Sequence, residues 1–431
     1  MRPLLLTFRQ CTVRAYLVRL PTYRGHGDYG AFVAFSFGLL RIATIVFAGL
    51  LAAAGVPERA RAQSQPFQTS VPSAILMDAE SHSVLFEKNA DQLISPASLA
   101  KIMTAEIVFR ELKEGRLTLD KTFTVSENAW RRGGAMAGGS AMFAALHSTI
   151  RLEDLLRGLI IQSGNDAAIV IAEGISGTEE TFAGLMNRRA AELGFDKMTF
   201  RNSWGKYDPE EKVTARQMAM LADHVIRTYP EYYHFFGEKE FTWNKIRQVN
   251  RNPLLFMDLG ADGLKTGNVG DSGYGLVGSA VENGQRLIVV VMGAKTARER
   301  ADEARKLLSW GLRSFESKIV FEPGAEIGAA QVYGGAKRSV PLVADGPVKL
   351  LVPRGSAERL IAQIVYQGPL MAPVARGATV AKLRIMRGKT LALEAPLQAA
   401  ESVENGTLSQ RAMDAGLELG LGLFRKYVLK N

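Results

Sequence analysis

The sequence predicts an α+β domain followed by a small all-β domain and a C-terminal amphipathic helix. Strand-like runs at residues 74–87 and 275–292 enclose a helical middle, and Asn283-Gly284 divides the second run like a two-residue hairpin turn. A single sheet built from both ends of a domain, with helices packed over it, accounts for that order. After residue 317 the chain changes to short β-rich segments separated by turns. We therefore predict domains at residues 68–317 and 318–400.

Hydrophobic periodicity and capping residues predict the individual elements. Residues 74–78 and 84–87 alternate like paired strands. Ser95 supplies a capping hydroxyl, and Pro96 the first position, of a helix that runs to Gly115. Further helices are predicted at residues 152–161, 165–172, 180–193, 215–227 and 298–315. Strands of the second domain are predicted at residues 348–352, 360–366 and 379–385.

Composition and charge restrict the class of protein. The 431 residues are 47% hydrophobic and 22% charged, which is typical of a globular chain and excludes disorder, collagen and coiled coil. The formal charge is +10, but the first 62 residues alone hold eight Arg, no Lys and two acidic residues. The excess of positive charge on the rest of the chain is too small to indicate a nucleic-acid partner, and we predict none.

The first 62 residues are interpreted as an export signal. The apolar run 42–56 follows Arg41, and Ala60-Arg61-Ala62 has the small-x-small form that a signal peptidase needs. A transmembrane anchor is the alternative, because residues 31–40 are also apolar. The basic segment before residue 30 is longer than a signal needs, which suggests a start further downstream.

The single cysteine, Cys11, lies in the predicted signal. A mature chain without thiols excludes thiol catalysis, disulfides and a cysteine-based metal site. His82, His147, His224 and His234 do not have the spacing of a helical zinc pair. We predict neither a metal nor a cofactor.

The tail at residues 407–431 is predicted to be an amphipathic helix on a membrane surface. One helical face carries the apolar side chains, and cationic residues lie at the end. These two groups are Leu417, Leu421, Phe424 and Val428, and Arg425, Lys426 and Lys430. Three glycines, at 416, 420 and 422, each cost about 1 kcal/mol in a helix, so we expect order only on lipid. A tail packed on the β domain, or a disordered one, is the alternative.

Three short motifs carry the chemistry. Ser98-Leu-Ala-Lys101 places a hydroxyl and an amine on one face of a helix start. Ser163-Gly-Asn165 lies at a predicted helix break, where side chains can project into a cleft. Lys265-Thr266-Gly267 precedes the closing hairpin. Their order and separations match the active-serine arrangement of penicillin-binding proteins and β-lactamases.

From about Val71 onward the chain therefore resembles D-alanyl-D-alanine carboxypeptidases, the low-molecular-mass penicillin-binding proteins. The residues that carry the resemblance are Ser95–Thr104, Gln162–Asp166, Asn250–Asn252 and Asp262–Gly267. The resemblance implies a β-lactamase and penicillin-binding-protein-like transpeptidase fold, a small β domain and a membrane-binding tail. It also implies a periplasmic enzyme, peripheral on the inner membrane, that acts on peptidoglycan pentapeptides ending in D-Ala-D-Ala, is acylated by β-lactams, and serves cell wall biogenesis and cell shape. Asn268 stands where relatives often have His.

Each motif residue then has an expected role. Ser98 is the nucleophile, and Lys101 serves as its base once desolvation and the cation of Lys265 lower its pKa. Ser163 relays a proton to the leaving nitrogen, and Asn165 holds the Lys101 amine or a substrate amide.

Recognition of the substrate's free carboxylate requires a cationic recess. Lys265, Thr266 and Gly267 are expected to form it, and the resemblance adds Arg251 and Arg300. For each arginine, a surface salt bridge is the alternative.

Rival readings rest on weaker patterns. A β-lactamase shares the three motifs but needs a carboxylate for deacylation, and no Glu-x-x-x-Asn segment follows Asn165. A catalytically silent peptidoglycan-binding protein would have lost Ser98, Lys101 or Lys265. The glycine pattern Gly273–Gly278 resembles a dinucleotide fingerprint but lies along a predicted strand, which indicates close packing on the sheet.

Overall fold

The computed structural model of the protein describes residues 13–18, 67–270, 273–354, 360–388 and 390–413. The strands up to residue 294 are β1 (Val13–Val18), β2 (Ser73–Asp78), β3 (Val84–Lys88), β4 (Thr122–Thr124), β5 (Thr149–Arg151), β6 (Glu240–Trp243), β7 (Ile246–Val249), β8 (Ala261–Val269), β9 (Gly273–Glu282) and β10 (Gln285–Ala294). The helices are α1 (Lys101–Lys113), α2 (Glu127–Gly133), α3 (Leu152–Ile160), α4 (Asn165–Ser176), α5 (Glu179–Glu192), α6 (Ala215–Thr228), α7 (Pro230–Tyr233) and α8 (Ala297–Ser314). The later strands are β11 (Phe315–Phe321), β12 (Gly328–Tyr333), β13 (Ser339–Val343), β14 (Val348–Pro353), β15 (Leu360–Gln367), β16 (Leu370–Met371), β17 (Thr379–Arg387) and β18 (Thr390–Ala399).

A five-stranded antiparallel sheet organises the first domain. Its strand order is β3-β2-β10-β9-β8, so the first strands of the domain pair with its last ones, as the sequence predicts. Strands β9 and β10 meet at Asn283 and Gly284, whose positive φ angles of 51° and 78° form the expected two-residue turn. This confirms the predicted α+β class for the domain.

Both faces of the sheet are covered by helices. Ile288 and Val290 of β10 belong to the core formed with α1, α3, α4 and α6. Leu287 lies on the other face, where a Cβ on Gly311 of α8 would come within 2.8 Å of its Cδ1 atom. Helix α1 lies inside the helical layer and is buried along most of its length, including the polar residues Lys101 and Thr104. The amine of Lys101, which lies in the first turn of α1, is therefore enclosed by protein.

Residues 315–399 form a separate β-rich layer with its own core. A seven-stranded sheet has the order β1-β15-β17-β18-β13-β12-β16, and β11 pairs with β14. Leu342, Leu350, Leu383 and Ile385 are among the fully buried side chains of this core. The all-β character predicted for this part is confirmed.

Strand β1 lies within the segment that we predict to be removed. It pairs with β15 from Val13 opposite Gln367 to Val18 opposite Ala362. Only an uncleaved chain can make this pairing, and cleavage near Ala62 stays a prediction. The apolar run 42–56 lies outside the described residues, where the alternative of an anchor also falls.

Three local expectations differ from the structure. Ser95 does not cap the first helix: φ of Ala97 is +52°, which turns the chain, and the buried Ser95 hydroxyl has no partner among the described residues. The motif Lys265-Thr266-Gly267, which we expected at the start of a strand, lies within β8. Two short strand pairs were not expected: the hairpin β6-β7, and the pair β4-β5, whose strands are separated by α2.

The tail is described only as far as its first turns. Residues 408–413 are helical, and the predicted apolar face of the tail lies beyond them, outside the described residues. In the part of the chain that the structure describes, no helix is both long and apolar enough to cross a bilayer.

Candidate active site

Ser98 lies on a tight turn directly before α1. The turn is a 3-10 helix, Ala97–Ala100, and it leaves Ser98 partly exposed between buried neighbours. Glycines allow two other segments to approach it closely. A Cβ on Gly267 would lie 3.0 Å from the Pro96 carbonyl oxygen, and one on Gly205 would lie 1.8 Å from that of Ala97. The nucleophile turn, which we define as residues 96–100, is thus enclosed by β8 on one side and by the 201–211 loop on another.

The Lys101 amine is held by three oxygen atoms from three parts of the chain. Its Nζ atom lies 3.0 Å from Ser98 Oγ, 2.8 Å from Asn165 Oδ1 and 2.7 Å from the Trp204 carbonyl oxygen. The side chain is only 1% exposed. The geometry places a primary amine within hydrogen-bond reach of the serine hydroxyl, as a base requires.

Burial is the main reason why the pKa of Lys101 falls from its usual value to about 7. The nearby carboxyl groups of Asp166 and Glu211 oppose this effect, and the guanidinium of Arg251 adds to it. We expected Lys265 to supply that second cation. The repulsion between the two lysines instead lowers the pKa of Lys265.

Ser163 and Asn165 lie in the expected break between α3 and α4. Ser163 has a φ of +63° and is almost completely buried, and Asn165 is the first residue of α4. A Cβ on Gly139 would come within 2.7 Å of Asn165 Nδ2, so the 138–144 segment closes over the amide. This packing fixes the Asn165 oxygen against the Lys101 amine.

Asp166 supports the same region, a role that the sequence analysis did not assign to it. Its carboxyl group accepts hydrogen bonds from the backbone N–H groups of Met142, Ala144 and Ala167. It therefore fixes the 138–144 segment to the start of α4. Burial raises the pKa of Asp166 despite these donors.

Strand β8 forms a second side of the site and carries the basic residue Lys265 together with Thr266 and Gly267. Lys265 is buried, and its Nζ atom donates to the Thr266 carbonyl at 3.1 Å. Burial lowers the pKa of Lys265 well below its usual value, and the cations of Lys101, Arg251 and Arg300 lower it further. Arg251 and Arg300 therefore keep this region electropositive, whereas the two lysines lose their protons more readily than exposed lysines. Asn268, the next residue along the strand, is exposed.

The two arginines reach this region from separate elements. The Arg251 backbone N–H donates to the Ile161 carbonyl, which ties the arginine to the end of α3. Arg300, in the first turn of α8, places its guanidinium 5.8 Å from the centre of the Tyr274 ring. Its Nε atom is buried without a hydrogen-bond partner among the described residues. Neither arginine is in an ion pair described by the structure, which leaves both available for an anion.

The site as a whole combines a serine hydroxyl, an amine with a pKa near neutrality and a cationic wall. Such an arrangement can perform acyl transfer through a covalent serine intermediate. Within the described residues, no group of three or more His, Cys, Asp or Glu side chains could hold a metal ion. The fold and site together define an active-serine enzyme of the penicillin-binding-protein class.

Comparison with known proteins gives the family. A profile of D-alanyl-D-alanine carboxypeptidase matches residues 59–296, and a profile of the C-terminal domain of penicillin-binding protein 5 matches residues 315–405. D-alanyl-D-alanine carboxypeptidase DacC of Escherichia coli (strain K12) is 42% identical over 344 residues, covering 79% of this chain and 86% of that protein. The chain belongs to the D-alanyl-D-alanine carboxypeptidase family and is a serine peptidase.

Solved structures agree with this assignment. Penicillin-binding protein 5 from Haemophilus influenzae matches with a TM-score of 0.69 and 38% identity, covering 79% of this chain and 99% of that one. Penicillin-binding protein D2 from Listeria monocytogenes, in its ampicillin-bound form, matches with a TM-score of 0.50 and 28% identity, covering 57% of this chain and 99% of that one. The resemblance inferred from the motifs is confirmed.

We predict that Gly205→Ala slows acylation by benzylpenicillin about tenfold or more, because its Cβ would overlap the Ala97 carbonyl and displace the nucleophile turn. Gly194→Ala is the matched control: φ is +77° at Gly194 and +80° at Gly205, but nothing lies within 4 Å of a Cβ at Gly194. Stopped-flow acylation rates distinguish the two variants. Equal rates in both would show that the close approach at Gly205 is not needed.

Proposed function

We propose that the protein removes the terminal D-Ala from peptidoglycan stem peptides ending in D-Ala-D-Ala, through an acyl-enzyme on Ser98. The observation that carries this proposal is the hydrogen-bond geometry of Lys101. Asn165 Oδ1 and the Trp204 carbonyl oxygen can only accept hydrogen bonds, whereas Ser98 Oγ can also donate. A neutral amine has two N–H groups for the two acceptors, which leaves its lone pair directed at the Ser98 hydroxyl.

The reaction follows from this arrangement. Ser98 Oγ attacks the carbonyl carbon of the penultimate D-Ala while Lys101 Nζ takes the hydroxyl proton. The oxyanion is stabilised by the Ser98 backbone N–H and by a backbone N–H just beyond Gly267, and each such donor is worth about 3 kcal/mol. The carbon–nitrogen bond then breaks while the proton held by Lys101 passes through the Ser163 hydroxyl to the leaving D-Ala nitrogen, which returns Lys101 to its neutral form. Lys101 Nζ next takes a proton from a water molecule as that water attacks the ester carbonyl. This proton passes to Ser98 Oγ when the ester bond breaks, which releases Ser98 and the shortened peptide.

The cationic wall accounts for selection of a C-terminal residue. Burying a substrate carboxylate requires paired positive charge. The guanidinium groups of Arg251 and Arg300 supply it, and a carboxylate bound beside the Thr266 hydroxyl also favours the ammonium form of Lys265, whose pKa is lowered by burial and by these cations. A carboxylate bound there also satisfies the buried Arg300 Nε donor. A penicillin presents an amide carbonyl and a carboxylate to the same groups, which supports acylation of Ser98 by β-lactams.

We predict that benzylpenicillin adds to Ser98 and to no other residue, because Ser98 Oγ lies 3.0 Å from the Lys101 Nζ atom that can deprotonate it. Ser98→Ala abolishes the adduct and lowers D-Ala release from a D-Ala-D-Ala peptide by roughly 1,000-fold or more. Ser95→Ala, which changes a buried hydroxyl three residues earlier, keeps both. Intact mass and peptide mapping provide the readout, and an adduct at another residue would contradict the mechanism.

We further propose that the enzyme is exported by residues 1–62, acts in the periplasm on the outer face of the inner membrane, and serves cell wall biogenesis and cell shape. The Arg-rich start, apolar run and Ala60-Arg61-Ala62 support export. The substrate class supports the location, because peptidoglycan lies outside the cytoplasm. Membrane attachment through the tail is supported by its apolar face and terminal cations.

Export predicts a mature chain that begins near Gln63. Its mass then excludes residues 1–62, and thiol titration finds no cysteine because Cys11 has been removed. Replacing both Ala60 and Ala62 with Leu should slow cleavage, because signal peptidase needs small side chains there. Detection of Cys11 in the exported chain would contradict cleavage and favour an anchor.

Attachment predicts that the full-length mature chain floats with vesicles of phosphatidylglycerol and phosphatidylethanolamine, and that a chain stopped after Met413 does not. That end point keeps the helical residues 408–413 and removes the apolar face. Gly420→Ala is a matched variant that should bind at least as well, because it removes a helix cost of about 1 kcal/mol. Equal flotation of the shortened chain would contradict the anchor.

A further inference from the structure

A buried carboxyl group behind the catalytic lysine has no role in the reaction described above. Glu211 is fully buried at the end of the 201–211 loop. Its Oε2 atom lies 3.4 Å from Asn202 Nδ2, the backbone N–H of Arg201 also donates to the carboxyl group, and Oε1 has no hydrogen-bond partner among the described residues. Burying a carboxyl group that lacks hydrogen-bond partners is unfavourable for the free energy of folding, so the presence of Glu211 beside an active site requires an explanation.

The neighbour of Glu211 organises the loop that holds Lys101. Asn202 Oδ1 accepts hydrogen bonds from the three successive backbone N–H groups of Trp204, Gly205 and Lys206. Because Asn202 Oδ1 binds all three N–H groups, the Trp204 carbonyl oxygen points away from Asn202. It accepts a hydrogen bond from Lys101 Nζ at 2.7 Å. Glu211 thus contacts the residue that sets the direction of a lysine-binding carbonyl.

Helix α1 and the nucleophile turn fix the other side of the same loop. Thr104, one helical turn after Lys101, donates to the Ser203 carbonyl at 2.6 Å. Gly205 lies directly against the Ala97 carbonyl. The end of the loop is fixed as well, because Lys212 bridges to Thr199. A loop held at so many points transmits a change at Glu211 to the amine.

We propose that Glu211 is a positioning residue for the catalytic base, acting on Lys101 through Asn202 and the 201–211 loop. The inference rests on the proposed function, in which neutral Lys101 is the base. Glu211 touches neither substrate nor nucleophile. Its carboxyl group holds Asn202, and Asn202 holds the loop whose Trp204 carbonyl binds the Lys101 amine.

The electrostatics give the direction of the effect. Burial raises the pKa of Glu211 to about 8, with Asp208 adding to the rise and Lys101 opposing it. The pKa of Lys101 is about 7. Glu211 is therefore protonated over the pH range in which the Lys101 amine becomes neutral, and a neutral amide can replace it there without a change of charge.

The remaining charges that face Lys101 do not change with the proposed variants. Asp166 of α4 also favours the ammonium form, and Arg251 disfavours it. Lys265 of β8 is the second amine of the site. A neutral side chain at position 211 that still holds Asn202 therefore leaves the rise of kcat/KM with pH at the wild-type position.

The test is the pH profile of kcat and kcat/KM for D-Ala release in Glu211→Gln, which is neutral like the protonated acid and keeps an acceptor for Asn202. Its kcat plateau should stay within about twofold of wild type, and its acidic limb within about 0.3 pH unit. Asp78→Asn is the matched control, because Asp78 is another buried carboxyl with a raised pKa and contacts Ser81 rather than the site. The acidic limb of the Asp78→Asn profile should lie at the same pH as that of the wild type.

Glu211→Met gives the second measurement. It fills a similar volume but offers no acceptor to Asn202, so the Trp204 carbonyl loses its fixed position and the kcat plateau falls about tenfold or more. If wild-type enzyme forms no Ser98 adduct with benzylpenicillin, the proposed function fails. If the adduct forms and folded Glu211→Met keeps the wild-type kcat, or if Glu211→Gln or Asp78→Asn loses as much as Glu211→Met, the role of Glu211 is overturned.

Discussion

The structure depends on keeping one primary amine out of water without an ion pair. Lys101 is enclosed on all sides, yet no carboxylate lies within hydrogen-bond distance of its Nζ atom among the described contacts. Burying an ammonium in this way is unfavourable, and the pKa falls until the neutral form is populated near neutral pH. Three oxygen atoms compensate for the lost water. Each comes from a different segment, so the fold must bring the three segments together before the base exists.

The central sheet and helix α1 accomplish this assembly. Helix α1 runs through the core, which places Lys101 and Thr104 where the 201–211 loop can bind to them. Strand β8 lies at the sheet edge and passes the nucleophile turn at Gly267. The nucleophile turn with Lys101 and the strand with Lys265 are therefore brought together from positions more than 100 residues apart in the sequence. Local pairing alone could not build such a site.

The sequence predicted the parts of this arrangement that have a residue signature. Periodicity located helices such as α3 and α6, and the Asn283-Gly284 turn located the closing hairpin. Spacing located Ser98, Lys101 and Lys265. The Trp204 contact could not be found in this way, because a backbone carbonyl has the same chemistry in every residue. Asn202, Asp166 and Glu211 were missed because nothing in their spacing distinguishes them from surface polar residues.

The wrong prediction at Ser95 has the same physical origin as the site itself. Ala97 and Ser163 adopt positive φ angles although neither is glycine, and both flank catalytic groups. Such backbone is unfavourable by about 1–3 kcal/mol per residue and persists only where surrounding packing imposes it. Glycine occupies Gly205 and Gly267, where another backbone approaches too closely for a Cβ. Local propensity therefore fails at these turns, because tertiary contacts from distant loops decide their conformation.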